Sequence, residues 1–210
     1  MDLAGNTPPA ETRSAFRIDL NEDFVLELAV WFKRGREIRR VHLADLGQPQ
    51  MTKGQPPHPR LENISANSLA LSFNSGQAMA QDRFNDVLVL AYFKLIPPEG
   101  DGYEPLCLMT GFEVKGAKFY DGRMFLGLRL VYDAEPEPGE KVLRFQDARK
   151  YGIADLTKWC DDMNRVVRNG EYPRMPGFRL ERLLSEIAVQ VRDKSERAPF
   201  IKPGRNSPPS

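Results

Sequence analysis

The sequence has few of the residues on which most enzymes and metalloproteins depend. Its 210 residues include only two cysteines, Cys107 and Cys160, and two histidines, His42 and His58. The cysteines lie far apart in apolar surroundings, which argues against a disulfide framework or a C-x-x-C site. None of the four residues has metal-ligand spacing, so we expect no metal site. Because no paired nucleophile and base is visible, we also expect no catalytic residues and no enzymatic activity.

Long apolar runs and an excess of charge are absent too. No run approaches the roughly 20 apolar residues that cross a bilayer, and the N-terminus lacks the apolar core of a signal peptide. We therefore expect a cytoplasmic protein without membrane insertion. Thirty Lys and Arg against 29 Asp and Glu give a net charge of +1, so no general field favours a nucleic acid polymer. Any anionic ligand has to be bound locally.

The clearest positive signal is a series of β-prone segments, each bounded by turn residues such as Gly, Pro, Asn and Asp. These segments are 16–20, 24–32, 69–73, 86–96, 106–114 and 125–132. About six strands with short links indicate a mainly β fold, either a small barrel or a sandwich. The stretch 33–60 is rich in Pro and Gly after a basic start and predicts a long exposed loop insertion.

The two ends of the chain differ from this β-rich part. Residues 1–12 predict a disordered arm and residues 198–210 a disordered tail. After an acidic, proline-containing linker at 133–140, helical spacing predicts an appendage of two helices within 141–197. The first helix has a candidate cap at Asp155 and a stop at Gly170. The second begins near Gly177 and carries an apolar stripe at Leu180, Leu183, Leu184, Ile187 and Val191. That stripe either packs on the barrel or first helix, or forms a docking or dimer surface.

Two short segments carry side chains suited to an anionic purine nucleotide. Arg13 and Arg17 lie four residues apart and lead directly into the first strand. Arginine donates two hydrogen bonds to the O6 and N7 edge of guanine, pairs with phosphate and stacks on purines. Asn63 and Ser65 lie two apart on an extended segment, so they point the same way and offer short neutral donors and acceptors. Ser68 completes this second segment.

The order R-x-x-x-R, strand, [DN]-x-S-x-x-G, apolar strand resembles that of the PilZ domain, a bacterial family of cyclic di-GMP receptors. Here it reads Arg13-x-x-x-Arg17 and Asn63-x-Ser65-x-x-Ser68, and the segment 125–130 is similar to the family's closing strand. The resemblance covers residues 13–132 and implies a six-stranded antiparallel barrel within 13–140, plus two helices. It implies that Arg13 and Arg17 bind guanine and phosphate, that Asn63, Ser65 and Ser68 bind the rest of the ligand, and that no other cofactor is needed.

Three features leave alternatives open. A second R-x-x-x-R occurs at Arg36 and Arg40, although it leads toward the loop rather than into a strand. Ser68 replaces the family's glycine, where a side chain can obstruct a close ligand approach. The basic start of the insertion serves either a partner or the ligand phosphates, or is simply solvated. From the resemblance we expect a cyclic di-GMP receptor that acts on a protein partner, with a homodimer as one option. The alternative is a degenerate PilZ-like adaptor that binds only proteins.

Overall fold

The structure is a computed structural model, and it describes residues 17–20, 22–76, 81–98 and 103–170. The strands in these ranges are β1 (Ile18–Asp19), β2 (Val25–Arg34), β3 (Arg40–His42), β4 (Met51–Thr52), β5 (Arg60–Ser65), β6 (Ser68–Asn74), β7 (Val87–Leu95), β8 (Leu106–Tyr120), β9 (Arg123–Pro136) and β10 (Val142–Asp147). The helices are α1 (Leu43–Leu46), α2 (Ala154–Arg168) and a 3₁₀ helix at Gln81–Phe84. None of the helices in these ranges is long and apolar enough to cross a bilayer.

The strands form one antiparallel sheet in the order β1-β5-β6-β9-β8-β7-β2-β4, with β10 beside β9 and β3 beside β10. Strands β1 and β2 follow each other in the chain but lie toward opposite ends of this order. The sheet therefore curls back on itself as a half-barrel. Strands β8 and β9 change register twice, between Gly111 and Phe112 and between Val114 and Gly116. Such shifts bend a strand and increase its twist, which favours the curl.

The inner face of the sheet holds the main core, and strand alternation builds it. In β9, Leu126, Leu128 and Leu130 are at most 2% exposed, whereas Gly127 and Arg129 between them are exposed. Successive side chains of a strand point to opposite faces, so the leucines define the inner face. Other fully buried members of this core are Ile64, Leu71, Phe93, Leu95, Phe112 and Met124. Burial of each large side chain is worth about 1.5–3 kcal/mol, so this core is the main support of the fold.

A second apolar layer covers part of the outer face. Trp31 of β2, Leu90 of β7 and Val131 of β9 contribute to it from the curled sheet, together with Leu143 and Phe145 of β10. The layer also contains Ala29, Ile38, Val41, Leu88, Tyr92, Tyr132 and Ala134. We call this region, represented by Trp31, Leu90 and Val131, the covered face. The chain thus has apolar packing on both sides of strands β2 and β7.

Helix α2 confirms the first predicted helix. Its buried residues join the inner core, and they are Leu156, Trp159, Cys160 and Met163. The indole Nε1 of Trp159 donates to the carbonyl oxygen of Ile96 at 2.7 Å, which fixes the helix to the end of β7. The predicted cap is wrong: Ile153 is the N-cap residue, and Asp155 lies in the first turn. There its negative charge still complements the positive end of the helix dipole. Gly170, with φ of 72°, follows the helix end.

The predicted number of six strands is too low for the described residues. The additional strands are short or lie in segments without a strand pattern. Strand β3 has three residues and β4 has two. They are strands because they pair with β10 and β2, not because of the β propensity of their residues. Strand β10 follows the acidic linker, whose first half continues β9 as far as Pro136. Mainly antiparallel β structure with helices is nevertheless correct.

The segment 33–60 is not one long exposed loop. It contains the end of β2, all of β3, α1 and β4, and the first residue of β5. Its buried residues Ile38, Val41 and Met51 are what hold it on the sheet. Residues 141–170 likewise include a sheet strand and a core helix rather than a purely helical appendage. The predicted arm at 1–12, the helix from Gly177 with its stripe, and the tail at 198–210 lie outside the described residues.

Candidate ligand-binding site

Strand pairing determines where Arg17 lies. Strand β1 pairs with β5 so that Ile18 is opposite Ile64 and Asp19 is opposite Asn63. The same register continued by one residue brings Arg17 to the level of Ser65. Both isoleucines are buried in the inner core, so the residues next to them belong to the outer face. Arg17 is exposed there. The exposed arginine therefore lies beside the strand that carries Asn63 and Ser65.

Ser65 and Ser68 form the closing pair of the β5–β6 hairpin, with Ala66 and Asn67 as its turn. The Oγ of Ser65 lies 2.7 Å from the Oγ of Ser68 and 3.2 Å from the carbonyl oxygen of Ser68. It is also 3.3 Å from Oδ1 of Asn67. Ser65 is only 1% exposed. Its hydroxyl therefore orients the turn, while Asn67 is exposed and Ser68 half-buried.

The serine at position 68 needs no unusual backbone. The described non-glycine residues with positive φ are His58 and Asp121, so Ser68 has the ordinary extended conformation of a strand. A glycine is not required here for a left-handed turn. The hydroxyl of Ser68 bonds to that of Ser65, and Ser65 and Ser68 pair regularly at the end of the hairpin.

A strip of small residues lies next to these groups on the outer face. Across four neighbouring strands, Asn63 pairs with Ala70, Ala70 with Gly127, and Gly127 with Gly116. A methyl group added at Gly127 would meet only the carbonyl oxygen of Gly116, at 3.9 Å, and one added at Gly116 would meet nothing within 4 Å. Neither glycine is thus required by close packing. Together they extend the strip as backbone without side chains, two strands (Gly127) and three strands (Gly116) away from Asn63.

A charged cluster borders the strip. Arg129 pairs in register with Ser68 and forms an ion pair with Glu113 on the neighbouring strand. Lys115 also contacts the Glu113 carboxylate, at 3.0 Å. Partial burial alone would raise the pKa of Glu113, but hydrogen bonds and charges from Lys115 and Arg129 outweigh it and lower the pKa. Glu113 is therefore an anion held by two cations at neutral pH.

The predicted ligand residues are brought together in part. Asn63, Ser65, Ser68 and Arg17 all lie at one end of strands β1, β5 and β6. Arg13 lies outside the described residues. We call the outer side of this region the open face, and its members are Arg17, Asn63, Ser65, Ser68, Ala70, Gly116, Gly127 and Arg129. The face combines two arginines, neutral donors and acceptors, and bare backbone.

The second arginine pair has other partners. Arg36 bonds to the carbonyl oxygen of Asn85 through both Nε and Nη2 and forms an ion pair with Asp86 at 3.2 Å. Arg40 forms ion pairs with Glu137 and Glu140. These contacts hold the two guanidinium groups on different carboxylates. Arg40 in β3 lies beside β10, so it is on a part of the sheet other than the open face.

A cleft of about 650 Å³ lies where the curled sheet comes back toward itself, between β5 and the β2–β4 side. Arg17, Asn63, Ser65 and Ser68 are not among its lining residues, which are Leu20, Glu22, Val25, Leu28, Lys53, Gly54, His58, Pro59, Arg60, Leu61, Glu62, Asn74 and Arg123. Its cations bond to the protein. Lys53 donates to the carbonyl oxygens of Glu22 and Val25, and Arg60 pairs with Glu22 at 2.7 Å. The cleft is therefore a closed network of charges rather than a group of open donors.

Cys160 is not a reactive thiol, and the described residues contain no metal centre. Burial, with a smaller effect of Asp161, raises the pKa of Cys160 to about 12, so this side chain is a neutral thiol at physiological pH. The parts of the chain that the structure describes contain no group of three or more His, Cys, Asp or Glu arranged to hold a metal ion. The open face is the region where the structure brings together residues of both sequence motifs.

Sequence reasoning missed Arg129, Glu113 and the two glycines. The alternation within β9 places Gly127 and Arg129 on the face opposite the leucines, and this signal is readable from the sequence. Their proximity to Ser68 is not readable, because it depends on the register between β6 and β9. A residue far along the chain joins the site only through that register.

No protein-family model matches the chain, and no curated protein matches it either. Among solved structures, the chain is similar to the Bacillus subtilis inhibitor of motility MotI/DgrA, with 16% sequence identity and a TM-score of 0.42. The match covers 79% of this chain and 58% of that one, so this chain spans little more than half the length of that protein. The interpretation of function therefore rests on the residues of the open face.

Proposed function

We propose that this protein is a cytoplasmic, non-enzymatic cyclic di-GMP receptor of the PilZ type whose ligand lies on the open face. The observation that carries the proposal is the β1–β5 register, which brings the exposed Arg17 to the level of Ser65 and beside Asn63. These are residues of the two motifs that resemble the family's ligand motifs. Arg13, four residues ahead of Arg17, is the other arginine of the proposed site.

The chemistry of the open face suits a guanine dinucleotide. The planar guanidinium of Arg17 can donate to the O6 and N7 edge of guanine or pair with a phosphate. Asn63 offers an amide with both donor and acceptor atoms for a second polar edge. The bare backbone at Gly116 and Gly127 allows a flat ring to approach closely, and glycine in the interior of a strand otherwise costs about 0.5–1 kcal/mol relative to alanine. A ligand gives a reason for two glycines that packing does not require.

The proposed output is a change in the surface offered to a protein partner. A ligand bound by both Arg13 and Arg17 holds the segment between them on the open face. The ligand can shift this segment only by binding its docked arrangement more tightly than the others. A partner that recognises either arrangement then responds to the ligand concentration.

Calorimetric titration with cyclic di-GMP tests the proposal, with GTP and cyclic di-AMP as controls at one fixed salt concentration. We expect specific micromolar or tighter binding by the wild type. Arg17→Ala should weaken it at least about tenfold, equivalent to about 1.4 kcal/mol. Arg144→Ala is the matched control, because Arg144 is a similarly exposed arginine on β10, paired with Glu135 at 3.7 Å.

Two results would overturn the proposal in different ways. If the folded wild type shows no binding at concentrations of hundreds of micromolar, about 5 kcal/mol or less of binding free energy, it is not a receptor. If the wild type binds and Arg17→Ala binds equally well, the ligand lies elsewhere. Circular dichroism of Arg17→Ala should match the wild type, because Arg17 is exposed.

The alternative function is a degenerate adaptor that binds proteins alone. The observation in its favour is that the Ser65 hydroxyl is bonded within its own turn, to Ser68 at 2.7 Å. Ser68→Gly separates the two functions. Binding that is absent in the wild type and appears in Ser68→Gly would identify a receptor that has lost its ligand. Tight binding by both would show that the serine is tolerated.

A further inference from the structure

We propose that Arg129 is an additional ligand-binding residue of the open face, and that it binds a phosphate of the ligand when Glu113 releases it. Lys115 would make this release possible by remaining on Glu113. The inference rests on the proposed function and extends it to residues outside both sequence motifs. Arg129 would touch the ligand, whereas Glu113 and Lys115 would be positioning residues.

Arg129 lies next to the second motif. It pairs in register with Ser68 and lies two residues after Gly127 on the same strand, so both point to the open face. Its side chain is 52% exposed, which leaves room for it to turn toward a neighbouring ligand. Arg129 therefore stands beside the hairpin that carries the second motif.

Two cations surround the carboxylate of Glu113. Arg129 and Lys115 both contact the same carboxylate oxygen, Oε1. Glu113 is only 26% exposed, so loss of every cation would leave a poorly solvated charge. Lys115, at 3.0 Å, keeps the carboxylate neutralised after Arg129 leaves. Release of Arg129 therefore costs little free energy, because Lys115 remains paired with Glu113.

The chemistry of the exchange indicates a phosphate rather than a base. A guanidinium donates two parallel hydrogen bonds to a planar carboxylate or to a phosphate, and both are charge-assisted. Arg129 would exchange one oxyanion for another of similar geometry. A neutral base edge would not replace the charge interaction that Glu113 supplies. The ligand class for Arg129 is therefore the phosphodiester group of the dinucleotide.

The same cyclic di-GMP titration, applied to five variants of the full chain, tests this inference. Arg129→Ala should weaken binding about ten- to 150-fold, the loss expected for a charge-assisted hydrogen bond, and Arg129→Lys should lose less. Glu113→Gln should strengthen binding a few-fold, because Arg129 is no longer held. Lys115→Ala should weaken binding, because Glu113 then keeps Arg129. Arg144→Ala should have no effect.

A double-variant cycle separates an indirect role of Lys115 from direct contact. If Lys115 acts through Glu113, Lys115→Ala should have no further effect in the Glu113→Gln background. An unchanged effect there would mean that Lys115 itself binds the ligand, and the release scheme would be wrong. The sign of the Glu113→Gln effect is a readout that a merely structural role would not produce.

The results that would overturn the role of Arg129 differ from those that would overturn the proposed function. A wild type that binds no cyclic di-GMP overturns both. A wild type whose binding is lost in Arg17→Ala but unchanged in Arg129→Ala and Arg129→Lys overturns only the role of Arg129. Midpoints of thermal unfolding close to the wild-type value would show that the Arg129 variants are folded.

Discussion

The outer side of the sheet divides into two regions of opposite character. On the covered face, Trp31, Leu90 and Val131 are at most 5% exposed in a second apolar layer. On the open face, Gly127 and Arg129 are exposed and Ala70 is half-buried. Strand β9 takes part in both regions, so the difference does not come from the type of sheet. It comes from whether other segments lie over the strand.

The difference separates residues needed for packing from residues available for binding. Large apolar side chains occur on the outer face of the sheet where β3, β10 and α1 lie next to them. Small or charged side chains occur where no apolar partner is needed. The glycines of the open face are unusual because a strand is more stable with almost any other residue. Close packing requires neither of them, since an added Cβ at Gly116 or Gly127 would have open space.

The largest expected difference between the two faces is in stability. Leu90→Ala should lower the free energy of unfolding by about 2–5 kcal/mol, because a leucine that is 1% exposed leaves a cavity. Lys118→Ala, at an exposed residue of β8, should change it by less than about 0.5 kcal/mol. Urea unfolding followed by circular dichroism measures both. Similar values for the two variants would show that the outer layer contributes little.

A pair of glycine substitutions sharpens the comparison. An added Cβ at Gly111 would lie 3.2 Å from Cβ and Cδ2 of Tyr132 in the outer layer, so Gly111→Ala should destabilise by about 1–3 kcal/mol. Gly127→Ala has open space and should stabilise by about 0.5–1 kcal/mol. The same Gly127→Ala should weaken cyclic di-GMP binding. A variant with higher stability and unchanged affinity would show that the bare backbone is not used.

The smallest expected effect concerns pH and the open face alone. The pKa of Glu113 lies below its ordinary value of 4.5, so the folded state is favoured when Glu113 is charged. This contribution is complete above about pH 5 and declines as the pH falls through the lowered pKa. It amounts to about 1 kcal/mol or less, because the pair is near the surface. The stability difference between wild type and Glu113→Gln should therefore shrink in acid; a constant difference from pH 7 to about pH 3 would contradict this.

Much of the fold follows from local pattern, and the remainder depends on long-range pairing. Apolar alternation and β-branched residues were sufficient for β2, β6, β7, β8 and β9, and helical spacing for α2. Strands β3, β4, β5 and β10 were not predicted. Strands β3 and β4 are too short to carry a pattern, β5 has only two apolar residues among six, and β10 lies beside an acidic linker. Arg17, Asn63 and Ser65 were accessible through motifs. Arg129 belongs to neither motif, and only the register between β6 and β9 places it next to Ser68.

The two tryptophans occupy different layers of the molecule, and this makes each an optical reporter. Trp31 donates from Nε1 to Gly47 at 3.2 Å in the outer layer, and Trp159 donates to Ile96 at 2.7 Å in the inner core. These are the only two indoles in the sequence. The Trp31→Phe variant retains Trp159, so its fluorescence reports on the packing of α2 against the inner core. The Trp159→Phe variant retains Trp31, so its fluorescence reports on the outer layer. Fluorescence can thus show whether the two layers unfold together or one after the other.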